Sequence, residues 1–335
     1  MTDKMTDSDL SGASEGEKSR TRRFGFAHFF RTYGTFGILL LLVLLSSTQS
    51  DVFLTERNAT NLFRQMSFTG VMAIGMLFVV LTRGIDLSVG SIAALGAVTS
   101  AIFMQEMPVF PAILLATAVG AACGAISGVL IAFLRLPAFV ITLAMMTGAR
   151  GLALIISGGQ PVMLGPAGAE LQSFSTTLTF GLPNPALLMI LLFGLAFLVL
   201  NFSRFGRLVK AIGSNDEAVR LSGVSVPWYV ASVYVISGAL AALAGILLAG
   251  RSGVGSAQIG VAAELDVIAA VVIGGASLMG GRGGVVNTFI GVMVLGVIGN
   301  IMNLAGVPGY HQQVYIGAII IAAVTLQHSA QIFRR

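Results

Sequence analysis

Long apolar runs broken by short polar stretches set the pattern of this chain from about residue 33 to its end. Charge-free runs of about 18 residues or more recur, and each is long enough to cross a bilayer core as a helix. They predict ten spans, at roughly 33–50, 61–82, 87–105, 110–134, 137–157, 184–202, 228–250, 264–281, 284–304 and 313–332. Pro137 and Pro227 fall at the starts of spans, where a missing amide removes no helix hydrogen bond. The alternating segments of about ten residues that mark a transmembrane barrel do not occur. The predicted fold class is therefore an all-α polytopic membrane protein.

Residues 1–32 break the pattern. They are polar and of low complexity, end in Arg20, Arg22, Arg23 and Arg31, and predict a disordered cytoplasmic tail before one transmembrane domain over 33–335. The apolar run at 34–45 resembles the core of a signal peptide. No Ala-x-Ala site follows, so it is read as an uncleaved first span.

Composition agrees. Hydrophobic residues are 56% of the chain and charged residues 10%, against about 25% charged in soluble domains. The 42 glycines suit close helix packing in lipid. With the N-terminus inside and ten spans, Arg83, Arg135, Arg204, Arg207, Lys210, Arg220, Arg282, Arg334 and Arg335 all fall on the cytoplasmic side. The outside loops hold little more than Arg57, Arg64 and Arg251, and the long loop near 158–183 has no Lys or Arg. This asymmetry is the positive-inside rule, and it puts both termini in the cytoplasm. The net charge of +5 is explained by that placement, not by nucleic-acid binding.

The same topology puts the charged loop at 203–227 in the cytoplasm. Its stretch FGRLVKAIGSNDEAVRLSGVSVP, Phe205 to Pro227, predicts a short helix. Ser214-x-x-Glu217 reads as a capping box and Gly223 as its stop. Asp216 and Glu217 stand in the first turn and Arg220 in the last, the order a helix dipole favours. So short a helix is marginal alone and has to lean on something, which points to another protein. Spans two to five precede span six and spans seven to ten follow this loop, with opposite starting directions. The predicted plan is an inverted repeat of spans two to five and seven to ten, with a pathway at the interface.

Catalytic chemistry is not visible. GGRGG at 280–284 lacks the GK[ST] of a P-loop, and GVGSAQIG at 253–260 misses dinucleotide spacing. The lone Cys123 rules out an intrachain disulfide, and His28, His311 and His328 are too scattered to suggest a metal site. Asn58-Ala59-Thr60 matches a glycosylation sequon, a match that chance supplies often.

No carboxylate is expected deep in a span, since Glu264 and Asp266 stand only at the outer mouth of span eight. That counts against ion-coupled secondary transport. Arg150 is the one charge well within a span, so it has to face a cavity, a partner or the interface. An ion pair with Glu264 or Asp266 is one reading, and contact with a polar ligand another. Asn300 and Asn303 share a helix face, with Asn287 deeper in the same span; they suit interhelical hydrogen bonds or a sugar's hydroxyls. Asp86 and Ser88 stand between spans two and three, where Asp86 is placed to cap span three. The flanking glycines predict either a sharp turn or a broken helix lining the pathway.

These stretches together resemble the permease subunit of ribose-type ATP-binding-cassette importers for monosaccharides. GIDLSVGS at 84–91 matches that family's signature, and FVITLAMMTGARG at 139–151 is similar to its next motif. AIGSNDEAVRLSGVSV at 211–226 resembles the family's cytoplasmic loop, and ELDVIAAVVIGGASLMGGRG at 264–283 its second-half signature. The likeness runs from about 60 to 325. Arg83 departs from it, standing where family members commonly carry a small residue.

The resemblance implies a non-enzymatic transport subunit in a bacterial inner membrane, acting with a second permease copy or a sister permease. Two copies of a cytoplasmic ATPase, holding the ATP and Mg, would power it; this chain carries no cofactor. A periplasmic binding protein would deliver the sugar. The helix after Ser214 becomes the coupling helix, with Gly213, Ser214, Asn215, Glu217, Ala218, Arg220, Leu221, Gly223 and Val224 as the coupling residues. Ala218, Leu221 and Val224 form the face expected against the ATPase. Ribose-, xylose-, galactose- or arabinose-like sugars are the expected cargo; a polyol, a nucleoside or an autoinducer-type furanone is the alternative.

Overall fold

The computed structural model describes residues 35–332; the expected tail at 1–32, with His28, lies outside them. In chain order the helices are α1 Thr35–Gln49, α2 Glu56–Leu81, α3 Val89–Glu106, α4 Val109–Ala132, α5 Ala138–Ser157, α6 Gly168–Thr176 and α7 Asn184–Phe202. They continue as α8 Arg204–Ser214, α9 Asp216–Leu221, α10 Val226–Ser252, α11 Ala263–Ile273, α12 Val285–Leu304 and α13 Gly309–Ile332. Two minimal antiparallel ribbons complete the described residues. Val162–Met163 (β1) pairs with Val254–Gly255 (β4), and Leu178–Thr179 (β2) with Leu182–Pro183 (β3). The chain is an all-α polytopic membrane protein.

Seven helices are long and apolar enough to cross a membrane, namely α2, α3, α4, α5, α7, α10 and α12. Each of the ten expected spans meets a helix, but α1, α11 and α13 are not among those seven. The eighth span is a correction in kind. Instead of running over 264–281, its helix stops at Ile273. Gly275 takes φ 82°, its amide bonds the Val272 carbonyl at 2.8 Å, and the Ala276 amide bonds Val271 at 3.1 Å. This paired closure ends a helix wherever glycine offers a left-handed residue, however apolar the sequence that follows.

The core is built of α2, α3 and α10, whose facing halves are buried almost continuously. α4 lies against α10 along a stripe of small residues, Ala112, Ala116, Gly120, Gly124 and Gly128, all buried. At Gly120 and Gly124 a Cβ would strike the carbonyls of Gly238 and Tyr234, so backbone rests on backbone. Without a hydrophobic drive between helices in lipid, such close approach is what holds them together. The opposite faces of α4, α5 and α7 expose Leu114, Phe139, Ile155, Leu191 and Phe202.

α2 and α10 run antiparallel, with Gly75 against Ser237 and, farther along, Phe68 beside Leu247. Each gives way to an irregular stretch, 82–88 or 253–262, that leads into a helix beginning inside the molecule. The same number of residues separates Glu56 from Val226 as separates Gly90 from Gly260, and those two glycines pack on each other. α9 lies at one end of the bundle, and β1–β4 with α6 at the other.

Candidate functional site

Two irregular segments enter the bundle from opposite ends and meet. The first leaves α2 at Leu81 and reaches the middle of α10, where Asp86 is buried against Ser237. Asp86 Oδ1 accepts from the Ser88 amide at 3.0 Å and its hydroxyl at 2.5 Å, and Oδ2 accepts from the Ser237 hydroxyl at 2.7 Å. Asp86 thus holds the entry to α3, as expected, and also ties it to α10. It stands in the irregular segment between α2 and α3 rather than within a span, and is buried all the same. Buried polar groups need such partners, and this one has three. Ser88 is the N-cap residue of α3 and is itself buried.

The second segment, 253–262, comes down from β4 to Gly260, which packs on Gly90. Arg150 on α5 braces it. Its guanidinium donates to the Ala257 carbonyl at 2.5 Å, to Ile259 at 2.6 Å and to Gly260 at 3.4 Å. The expected ion pair with Glu264 or Asp266 is absent among the described residues, whose ion pairs are Arg83–Asp216 and Arg220–Glu217. Non-helical backbone leaves free carbonyls in the interior, and an arginine fork meets several at once. Beside this segment a cleft of about 500 Å³ opens toward the β1–β4 end. Gln65 and Thr69 of α2, Ser252, Ser256, Gln258 and Asp266 give it amide, hydroxyl and carboxyl groups, with Phe68 as an apolar wall. Such a lining suits a small polyhydroxy solute.

The asparagines do not gather at this cleft. Asn58 and Asn300 form a reciprocal buried amide pair, Asn58 Nδ2 to Asn300 Oδ1 at 2.9 Å and the reverse at 2.8 Å, and Asn58 Nδ2 also bonds the Phe53 carbonyl at 2.8 Å. Asn300 therefore acts between helices, and the sequon asparagine is buried. Asn303 is exposed and accepts from Gln312 at 2.8 Å. Asn287 lies in the first turn of α12 rather than deeper in the span.

At the other end, α8 and α9 form a knuckle. α8 was not foreseen as a separate helix, and it corrects the cap. The helix runs through Ser214, whose hydroxyl bonds the Lys210 carbonyl at 3.0 Å. Asn215, extended at φ −161°, makes the break and caps α9 by accepting from the Ala218 amide at 3.0 Å. Glu217 turns to Arg220 at 2.6 Å instead of reaching back. The hydrogen bond to Glu217 in this exposed pair holds the Arg220 guanidinium above its ordinary pKa. Gly223, at φ 81°, closes the helix as expected, its amide bonding the Arg220 carbonyl at 3.0 Å. Val219 faces inward and is buried. Ala218 is exposed, Leu221 is 77% exposed and Val224 is half-buried. Beneath the knuckle lies a groove of about 370 Å³ lined by Ile131, Arg135, Asp216, Glu217, Arg220 and Pro227. Gly213 packs on the Leu81 carbonyl and the Gly281 amide, where a Cβ has no room.

Comparison with known proteins decides the family. Residues 58–324 match the family model described as branched-chain amino acid transport system / permease component. The ribose import permease protein RbsC of Escherichia coli K12 is 42% identical over 88% of this chain and 92% of its own length. RbsC of Bacillus subtilis is 39% identical, over 93% of this chain and 98% of its own. The L-arabinose transport system permease protein AraH of Escherichia coli K12 is 35% identical, over 97% and 99%. The chain belongs to the ribose-type ABC importer permeases. No solved structure matches it.

In this permease the expected site residues fall into separate groups. Asp86, Ser88 and Arg150 belong to the helix-break centre, Asn300 and Asn303 to helix packing, and Gly213 through Val224 to the knuckle. Sequence reasoning missed Ser237, Gly260, Gln65, Thr69 and Gln258. Small or neutral polar residues inside apolar helices carry little signal until a neighbour shows which face they occupy. Arg83, the departure from the family pattern, bonds the Gly213 carbonyl at 2.8 Å and the Ser214 carbonyl at 2.7 Å.

Proposed function

We propose that this permease imports a monosaccharide across a bacterial inner membrane, driven by ATP hydrolysis in a separate cytoplasmic ATPase and fed by a periplasmic binding protein. Both termini and the α8–α9 knuckle lie in the cytoplasm, and a second permease copy or homologue completes the pathway. The observation that carries the coupling is α9 itself. It is a capped helix of six residues, with Val219 as its one buried residue, that presents Leu221 to solvent. So short a helix has its value as a docking surface held on a rigid base.

The sugar assignment draws on the relatives, named for ribose, D-allose and L-arabinose, and on the hydrogen-bonding lining of the cleft. That cleft, at the β1–β4 end, receives the sugar from the binding protein. The helix breaks at 82–88 and 274–284 then carry the motion of the knuckle into the bundle. ATP and Mg bind only in the partner. The test is uptake of radiolabelled ribose, allose and arabinose into proteoliposomes holding permease, ATPase and binding protein. Uptake of one of these sugars is expected only with all three components and ATP. Uptake by the permease alone down an ion gradient overturns the proposal.

A further inference from the structure

Arg83 occupies a position that its own backbone disfavours. It stands just past the cap of α2 at φ 65°, with its amide bonding Val80 at 3.0 Å and the Gly84 amide bonding Val79 at 3.0 Å. This is the helix-closing arrangement in which glycine is the usual residue, because a Cβ crowds the neighbouring carbonyl. α11 closes in the same way and does use glycine, at Gly275. Something in the side chain has to compensate for the choice at 83.

The guanidinium spans three parts of the chain. Nε donates to the Gly213 carbonyl at 2.8 Å and to the Met279 carbonyl at 3.2 Å, and an Nη donates to Ser214 at 2.7 Å. The other Nη is 3.6 Å from Asp216 in the first turn of α9. That ion pair is about half exposed and solvent-screened, so the carbonyl bonds are the firmer ones. Gly213 and Ser214 are in the last turn of α8, where carbonyls lack helical partners and the dipole favours a cation. Alongside, the Gly281 amide bonds the Leu81 carbonyl at 3.0 Å.

We propose that Arg83 is a positioning residue that ties the α8–α9 knuckle to both helix breaks, so that a push on α9 reaches segments 82–88 and 274–284 together. Segment 82–88 carries that displacement to Asp86 and on to Gly90, where the two halves meet. Segment 274–284 carries it into α12. The inference rests on the reading of α9 as the ATPase-docking surface, but the tie itself needs no ATPase to be seen.

The test uses the full-length permease in nanodiscs, with its single cysteine removed by Cys123→Ala. Spin labels go on Leu221→Cys and Met279→Cys, at side chains 77% and 71% exposed. With Arg83 present, one narrow distance distribution is expected between α9 and the 274–284 segment. Arg83→Gly installs the residue the backbone prefers and keeps the fold, yet should broaden the distribution about twofold or more. Arg83→Lys keeps the charge but cannot fork across three carbonyls, and should broaden it too. A width unchanged in both variants overturns the tie. In the reconstituted importer, Arg83→Gly should lower uptake of the transported sugar per ATP hydrolysed by about fivefold or more while the ATPase still co-purifies; an unchanged ratio overturns the transmission. If Leu221→Arg leaves ATPase binding intact, the docking reading fails, while the distance result stands or falls by itself.

Discussion

Gly90 and Gly260 pack backbone to backbone, each sitting where a Cβ would strike the other's carbonyl oxygen. They bring together the two irregular segments that enter from opposite ends. Gly260 also holds φ 69°. Gly90→Ala should therefore destabilise by about 1–3 kcal/mol through overpacking alone. Gly260→Ala should cost more, because about 1–2 kcal/mol of left-handed strain is added. Thermal melting of the purified permease in detergent checks this, and equal melting temperatures for wild type and Gly260→Ala would contradict the packing.

The Asn58–Asn300 pair predicts strong non-additivity. Asn300→Leu leaves the buried Asn58 amide without its partner, a loss of about 1–3 kcal/mol for an orphaned polar group. Replacing both by Leu removes the polar groups together and should recover part of the loss, with a coupling of about 0.5–2 kcal/mol. Asn58 keeps its bond to the Phe53 carbonyl in the single variant, so the coupling is set below the full penalty. A double-mutant cycle on unfolding measures it; additive losses would mean that the two amides act separately.

Asp86 separates a structural carboxyl group from one that binds a coupling ion. Its three hydrogen bonds come from Ser88 and Ser237, and an asparagine keeps a carbonyl toward Ser88 while its amide donates to the Ser237 hydroxyl. Asp86→Asn should leave uptake within about threefold of wild type, whereas Asp86→Leu strands the serine donors and should lower both stability and uptake. Loss of all uptake in Asp86→Asn, with the melting temperature unchanged, would point to an ion site instead.

Arg150 holds the 257–260 backbone by its fork. Arg150→Lys reaches one carbonyl where arginine reaches three, so sugar uptake should fall about tenfold while ATPase co-purification is unchanged. Undiminished uptake in Arg150→Lys would remove the brace from the account.

What could be read from the sequence follows from length and chemistry. An apolar run long enough for a bilayer admits one fold class, and the charge asymmetry then predicts an orientation, so α2 through α5 were legible as spans. The stop of α11 at Ile273 was not, because hydropathy reads straight through Gly274 and Gly275 while cap geometry ends the helix. Ser214 and Asn215 are adjacent cap residues of equal promise; the choice fell to Asn215 because α8 runs through Ser214. Arg150 was legible as a buried cation, but backbone carbonyls carry no residue signal, so nearby carboxylates attracted the assignment. Arg83 was invisible as a tie because its acceptors lie in the distant segments 213–214 and 279.

If drive enters this permease at α9, ATPase binding has to depend on Leu221, and Leu221→Arg puts that dependence to the test. Leu221 is exposed and bears no part of the chain's own packing, so the substitution should leave membrane insertion and melting unchanged. Co-purification of the ATPase should fall about tenfold or more, and ATP-dependent sugar uptake should be lost with it. Full ATPase binding together with wild-type uptake would contradict that dependence.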